Sequence, residues 1–191
     1  MPAGPRPRAA RSGDLSYTAA MEFSSDTFRL VMGHFATGVT IVTVFDGDKP
    51  DGITVNALSS VSLDPPLVMV ALDRRRHIVP AVRAAGRYAV NVLGECQQHL
   101  SDCFAGARLE PGRDVFCGAT WRPGETGLPL IDGSIATLEC TIVQTVSVGD
   151  HDLFIGRVDA LASAGDHPLL YFRRRYLRVE KARAVVPQGR P

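Results

Sequence analysis

A chain of 191 residues with 45% hydrophobic composition is long enough for one domain with a real core. Lys and Arg total 21 against 20 Asp and Glu, a net charge of +1, which excludes global electrostatic steering toward nucleic acid or an anionic membrane surface. No apolar run approaches the ~20 residues that span a bilayer, so a soluble protein is expected.

The opening residues MPAGPRPRAARSGDLSYTAA mix Pro, Arg and Ala without apolar periodicity. Residues 1–22 are therefore expected to be a disordered tail, 23–182 the folded domain and 183–191 a flexible C-terminal tail. Ser24, Ser25 and Asp26 offer N-cap oxygens ahead of Phe28, Val31, Met32 and Phe35, whose spacing predicts one face of a short helix ended by Gly38. Val39 to Phe45 is rich in β-branched residues and predicts a strand, with Asp46-Gly47-Asp48 as a hairpin turn. The stretch DGITVNALSSVSLDPPL, Asp51 to Leu67, follows. Ile53, Val55 and Ala57 alternate there with Thr54, Asn56 and Leu58, the period of a strand with one face on a core and one toward a site. Ser59, Ser60, Val61 and Ser62 predict a loop with little side-chain bulk, able to turn N–H groups and hydroxyls toward a polar planar ring or a phosphate. Asp64, Pro65 and Pro66 fix its exit. An ordinary surface turn uses the same residues.

Leu67 to Leu72 is a continuous apolar run and predicts a strand buried on both faces. After Arg74, Arg75, Arg76 and His77, the pattern Val79, Val82, Ala85 predicts a short helix stopped by Gly86. Tyr88 to Leu93 predicts a strand, and Glu95 to Ala105 a helix with Leu100, Cys103 and Phe104 toward the core. Arg108 to Pro129 is rich in Gly and Pro and predicts a long surface excursion. Ile135 to Val148 and Leu153 to Ala162 are long alternations flanking Gly149-Asp150-His151-Asp152, and Leu169 to Val179 predicts a final strand pair. Strands do not alternate regularly with helices as in a parallel α/β fold, so an antiparallel barrel with a few attached helices is expected.

A dinucleotide-binding G-x-G-x-x-G, a P-loop and a G-x-S-x-G nucleophile elbow are all missing. Cys96, Cys103, Cys117 and Cys140 form no C-x-x-C pair and follow no secretory segment, so reduced thiols in a cytoplasmic protein are expected. Cys96, His99 and Cys103 are spaced to share a helix face but lack a fourth ligand, so small core cysteines are expected there and no metal.

Taken together, FATGVTIVT (Phe35 to Thr43), the Asp51 to Leu67 stretch and YAVNVL (Tyr88 to Leu93) resemble the small flavin reductases that serve two-component flavin-dependent monooxygenases. The resemblance covers roughly Phe28 to Val179. It implies a mainly β fold, an antiparallel split β-barrel of Greek-key type with peripheral helices, that reduces free FAD or FMN with NADH or NADPH. It also implies a homodimer and a separate oxygenase or halogenase that receives the reduced flavin. Residues implied at the flavin are Thr37, Gly38, Val39, Thr40, Thr54, Val55, Asn56, Ala57, Ser59, Ser60, Val61, Ser62 and Phe104. The Ser60 and Val61 N–H groups would stabilise charge developing at the ring's polar edge.

The turn Gly149-Asp150-His151 matches the family's Gly-Asp-His turn, which assigns His151 to the nicotinamide. A neutral histidine can donate a hydrogen bond to a carboxamide or phosphate, although an exposed histidine in a plain hairpin fits the same pattern. Tyr171, Arg173 and Tyr176 match the family's Tyr/Arg-containing strand pair, with Arg175 where glycine is common. The chain departs from the family at a Ser-x-Thr that meets the flavin phosphate end, having Arg76 and Ile78 instead. Arg76 is expected to replace those hydroxyls; either arginine triplet, Arg74 to Arg76 or Arg173 to Arg175, could grip a flavin or nicotinamide phosphate through bidentate hydrogen bonds, the other reading being a solvated face. Three further readings are a flavin carrier or sensor without turnover, a pyridoxamine-phosphate-oxidase-like enzyme, and a nucleic-acid module, the last disfavoured by neutral charge and missing aromatic ladders. No local signature separates FAD from FMN or NADH from NADPH.

Overall fold

The computed structural model describes residues 23–106, 116–165 and 167–179. Helices are α1 (Ser25–Met32), α2 (Ile78–Ala85) and α3 (Gln98–Gly106). Strands are β1 (Thr37–Gly38), β2 (Thr40–Asp46), β3 (Lys49–Val55), β4 (Leu58–Leu63), β5 (Pro66–Asp73) and β6 (Arg87–Val92). After them come β7 (Trp121–Pro123), β8 (Pro129–Ile131), β9 (Ala136–Val148), β10 (His151–Ser163), β11 (Leu170–Phe172) and β12 (Arg175–Leu177). The tails 1–22 and 183–191, and residues 107–115 of the expected excursion, lie outside the described residues.

Seven strands form one antiparallel sheet in the order β3-β2-β6-β9-β10-β5-β4. Its two edge strands are consecutive in the chain, and side chains from both halves of it meet in a single core. Val42 and Val44 of β2, Ile53 and Val55 of β3, Val70 and Leu72 of β5, and Phe154 of β10 share that cluster. The sheet is therefore curled on itself as a split barrel. Ile78, Val79, Ala81 and Val82 of α2 enter the same cluster and close one end. Gly86 ends α2 at φ 64°, its N–H bonded to the Val82 carbonyl, as a left-handed C-cap requires. On β10 a Cβ at Gly156 would stand 2.6 Å from Tyr88 Oη, so only glycine admits that buried ring.

Strand β2 is covered on both sides. Ile41 faces a second cluster with Val39, Leu93, Leu100, Phe104, Phe116 and Leu169, outside the barrel. A short sheet β1-β11-β12 lies on this side, and the pair β7-β8 is joined to the barrel by a buried polar network. The Asn91 amide donates to the Ile41 carbonyl at 3.1 Å and to Thr43 Oγ1 at 3.0 Å, and its oxygen accepts the Ile131 N–H at 2.8 Å. Thr43 donates onward to the Pro129 carbonyl at 2.6 Å. Both side chains are fully buried, so each polar atom must be paired within the protein.

Several local expectations change. The predicted first helix forms with Ser24 as its N-cap, but it ends at Met32 with Gly33 as C-cap, and Gly38 belongs to β1. None of its residues is buried, because no described element packs on its apolar face. The serine-rich segment is an edge strand, β4, rather than a loop; its register with β5 skips Val61 as a bulge. Strand β5 alternates buried and half-buried residues instead of burying both faces, since its outer face meets no layer. The helix expected from Glu95 begins as a 3₁₀ turn, Glu95–Gln97, before α3. The expected excursion carries β7, leads into β8, and places Phe116 and Leu128 in cores.

The four-thiol expectation is also corrected: Cys103 and Cys117 form a disulfide, leaving Cys96 exposed and Cys140 buried as free thiols. The 3₁₀ turn breaks the periodicity that had put Cys96 and Cys103 on one face. Asn91→Ala should lower stability by about 3 kcal/mol, since it orphans several buried partners at once. Urea unfolding monitored by tryptophan fluorescence measures this, and a loss below about 0.5 kcal/mol would contradict the network's role.

Candidate active site

Two faces of one strand set the site. In β5 the residues Val68, Val70 and Leu72 point into the barrel, and Met69, Ala71 and Asp73 point out. In β3, Ile53 and Val55 are core residues and Thr54 faces out. Two clefts open on this outer side and share Asn56 and Ala57, between β3 and β4. The larger, about 560 Å³, is walled by Met69, Ser59, Thr37 and Tyr171, with Arg29, Met32 and Phe35 from α1 and its exit. The smaller, about 250 Å³, is walled by Thr54, Ala71, Asp73, Arg76, Ala105 and His151.

Hydrogen bonds hold these walls in place. Thr54 Oγ1 donates to the Ser101 carbonyl at 2.7 Å, fastening α3 to β3. Ser101 Oγ lies 2.9 Å from Tyr176 Oη, and Tyr176 meets Tyr171 edge to face at 5.3 Å. Tyr176 thus supports Tyr171 from behind. Thr37 pairs with Tyr171 between β1 and β11. Its Oγ1 is buried without a hydrogen-bond partner, an orphan on the wall of the larger cleft. Near the start of α2, His77 Nε2 lies 3.2 Å from Asp51 Oδ1, a buried carboxylate that also accepts the Gly52 N–H.

His151 opens β10 directly opposite Asp73 of β5. Its Nδ1 lies 2.7 Å from Asp150 Oδ1. That hydrogen bond holds the Asp150 carboxyl below its ordinary pKa, so it is ionised at neutral pH and only accepts. Nδ1 therefore carries the proton, and in the neutral ring Nε2 is an acceptor. In that tautomer a neutral His151 offers Nε2 to a ligand as an acceptor, and the protonated ring donates.

The arginines beside this turn divide their work. Arg75 grips Asp73 through Nε at 3.0 Å and Nη2 at 2.7 Å, and these bonds pull the Asp73 carboxyl far below its usual range. The Arg74 guanidinium donates to the Gly149 carbonyl, and its backbone N–H to the Asp150 carbonyl. Arg76 lines the smaller cleft, and among the described residues its side chain has no hydrogen-bond partner. Beneath the turn, buried Asp152 accepts from Ser147 Oγ at 2.7 Å and pairs with Arg83 of α2. The Ser147 hydrogen bond leads in lowering its pKa, with Arg83 adding to it against the opposing effect of burial.

The structure gathers Thr37, Thr54, Val55, Asn56, Ala57, Ser59, Arg76, His151 and Tyr171 on the two clefts. It places others apart. Val39 and Thr40 are buried, with Thr40 Oγ1 donating to the Val55 carbonyl at 2.6 Å. Phe104 sits in the second core against Phe116 and the bare backbone of Gly52. Gly38, Ser60, Val61, Ser62 and Arg173 wall neither cleft, and Gly149 and Asp150 act through the turn that carries His151. Sequence reading missed Met69 and Ala71, whose parity was present in LVMVAL but masked by uniform apolarity. It also missed Arg29 and Phe35, which nothing local marks as cleft residues, while Arg174 lies in a triplet read as able to grip a phosphate. Among the described residues no group of three His, Cys, Asp or Glu could hold a metal, and no helix is long and apolar enough to cross a membrane.

A family model described as flavin reductase like domain matches residues 32–180. An NADH-dependent flavin reductase of a Rhodococcus species is 41% identical over 164 residues, 84% of this chain and 90% of that protein. The flavin-dependent monooxygenase reductase subunit HsaB of Mycobacterium tuberculosis is 38% identical over 157 residues, 81% of this chain and 82% of that protein. Among solved structures, the NADH:FAD oxidoreductase SgcE6 of Streptomyces globisporus C-1027, in complex with NAD and FAD fragments, superposes with a TM-score of 0.75. It is 35% identical and covers 82% of this chain and 93% of that one.

The depressed carboxyls of Asp150 and Asp152 set a sign for pH dependence. Their stabilisation is present above the unfolded aspartate value of about 3.9 and is lost as pH falls through the lower folded values. The thermal midpoint should therefore drop on acidification below about pH 4. In Asp152→Asn that acid limb should flatten, and an identical limb in the variant would contradict the assignment.

Proposed function

Since the chain belongs to the flavin reductase like domain family, we propose that it is an NADH-dependent flavin reductase that releases reduced FAD or FMN to a separate oxygenase or halogenase. The observation that carries this reading is the meeting of two clefts at Asn56 and Ala57, with His151 on one wall and Tyr171 on the other. Two planar ligands need adjoining sites of this kind. The larger cleft falls within the ~300–1,000 Å³ of small-molecule sites. The orphaned Thr37 Oγ1 fits a heteroaromatic ligand with polar edge atoms, since a bound group would pair it.

Thr54 to Ser59 would hold the flavin. His151 Nε2 would accept from the nicotinamide carboxamide N–H while Asp150 keeps the ring oriented. Arg76 would meet a phosphate. The cofactors supply the chemistry, hydride transfer from reduced nicotinamide to flavin, and the protein contributes juxtaposition without an acid or base of its own. A pyridine-nucleotide reductant would be consistent with a cytoplasmic protein. A second copy would cover the apolar face of α1 and its exit, where Phe28, Val31 and Phe35 are 54%, 63% and 71% exposed. Sedimentation at micromolar concentration should then show a dimer that Val31→Glu splits; a monomeric wild type would contradict this.

Anaerobic mixing of the protein with NADH and excess FAD or FMN should bleach the flavin absorbance with multiple turnovers. A protein that binds flavin and never bleaches it is a carrier. His151→Ala should raise the KM for NADH by about tenfold, the size expected for one lost polar contact, with a smaller effect on the KM for flavin.

A further inference from the structure

One turn holds two neighbouring residues in a backbone conformation that side chains avoid. Arg173 and Arg174 connect β11 to β12, with Phe172 paired to Arg175 across them, and their φ angles are 48° and 64°. A two-residue hairpin connection with positive φ at both positions ordinarily carries Asn-Gly. Arginine has neither the freedom of glycine nor the short polar side chain of asparagine, so this conformation persists only where the surroundings over-determine it. Outliers of this kind cluster at ligand sites. Here the surroundings are the exit of α1. The Arg173 N–H donates to the Gly33 carbonyl at 2.8 Å, and a Cβ at Gly33 would stand 3.6 Å from Arg173 Cα.

The docked turn has a consequence for its second residue. Arg174 is carried onto the wall of the larger cleft, which Arg29 of α1 also lines. Arg29 is bonded to Asp26 at 3.1 Å, an exposed pair, whereas the Arg174 side chain has no hydrogen-bond or ion-pair partner among the described residues. Phe35, Met32, Met69 and Tyr171 on the same wall are flat or flexible and apolar. The cleft thus offers ring-binding surface with two guanidinium groups on its wall, while Arg76 stands in the other cleft.

We infer that Arg174, assisted by Arg29, binds the pyrophosphate of a dinucleotide whose ring occupies the larger cleft, and so sets preference for dinucleotides over their shorter counterparts. Guanidinium recognises phosphate oxygens in pairs, and unlike lysine brings a planar fork to them. This rests on the reductase reading above. FAD and the pyridine dinucleotide share the chemistry, and the test separates them.

Arg173→Asn/Arg174→Gly restores the residues the turn prefers, so the hairpin should be kept and the unfolding midpoint should not fall. Binding is read without turnover: by flavin fluorescence for FAD and riboflavin, and by calorimetry for NADH and reduced nicotinamide mononucleotide. If the site takes FAD, the variant should lose about tenfold of its preference for FAD over riboflavin. If it takes the pyridine dinucleotide, the same loss should appear in the preference for NADH over the mononucleotide. Arg174→Lys should recover part of either preference, and inorganic pyrophosphate should compete with the affected ligand in wild type only. Unchanged preferences in both series overturn the inference. A wild type that binds the dinucleotides and never bleaches flavin overturns the reductase reading alone.

Discussion

The site depends on the parity of β5. Its inward residues Val68, Val70 and Leu72 complete the barrel core, and that commitment leaves Met69, Ala71 and Asp73 facing out as cleft wall. A shift of one residue would exchange the two sets, exposing three branched side chains and burying a carboxylate. Pairing with β10 prevents it, from His151 opposite Asp73 to Arg157 opposite Leu67. The same register that seals the core therefore brings His151 to the smaller cleft. On the other flank, the β4 register absorbs Val61 as a bulge, so its serines keep their places on an open sheet edge.

Charge is arranged around this register with little left uncommitted. Asp73 and Asp150 flank His151, one held by Arg75 and the other by the imidazole itself. These pairs are largely exposed, so solvent screens them and their value is orientation more than stability. Asp152 differs in being wholly buried, and its bonds to Ser147 and Arg83 tie the β9–β10 turn to α2. Against this background Arg76 and Arg174 stand out as cations that face the clefts without an internal partner among the described residues. Each opens a path for anionic groups, one on either side of Asn56 and Ala57.

The second core explains why so much of the chain beyond the barrel is needed. Phe104 lies against the bare backbone of Gly52, where a Cβ would come within 2.7 Å, so α3 approaches β3 closely enough for Thr54 to reach Ser101. The Cys103–Cys117 disulfide ties the segment after α3 to that same helix. On the far side of the larger cleft, α1 contributes wall residues while its own apolar face is uncovered.

Local pattern was enough to determine most barrel strands, the Gly86 stop of α2 and the β9–β10 hairpin with His151 at its turn, and separated motifs carried the resemblance that implied a split barrel and a flavin reductase. Each of these follows from period-two alternation, turn chemistry or short motifs, which neighbouring residues carry on their own. Tertiary structure alone decided that LVMVAL has an outer face, because an apolar run reads the same whether its second side meets a core or a cleft. It alone paired Cys103 with Cys117, set the His151 ring against Asp150, and put Arg174 rather than Arg173 on the wall of the larger cleft. These outcomes depend on which distant strand, helix end or carboxylate stands opposite a residue, and that is settled only when the sheet curls and its elements dock.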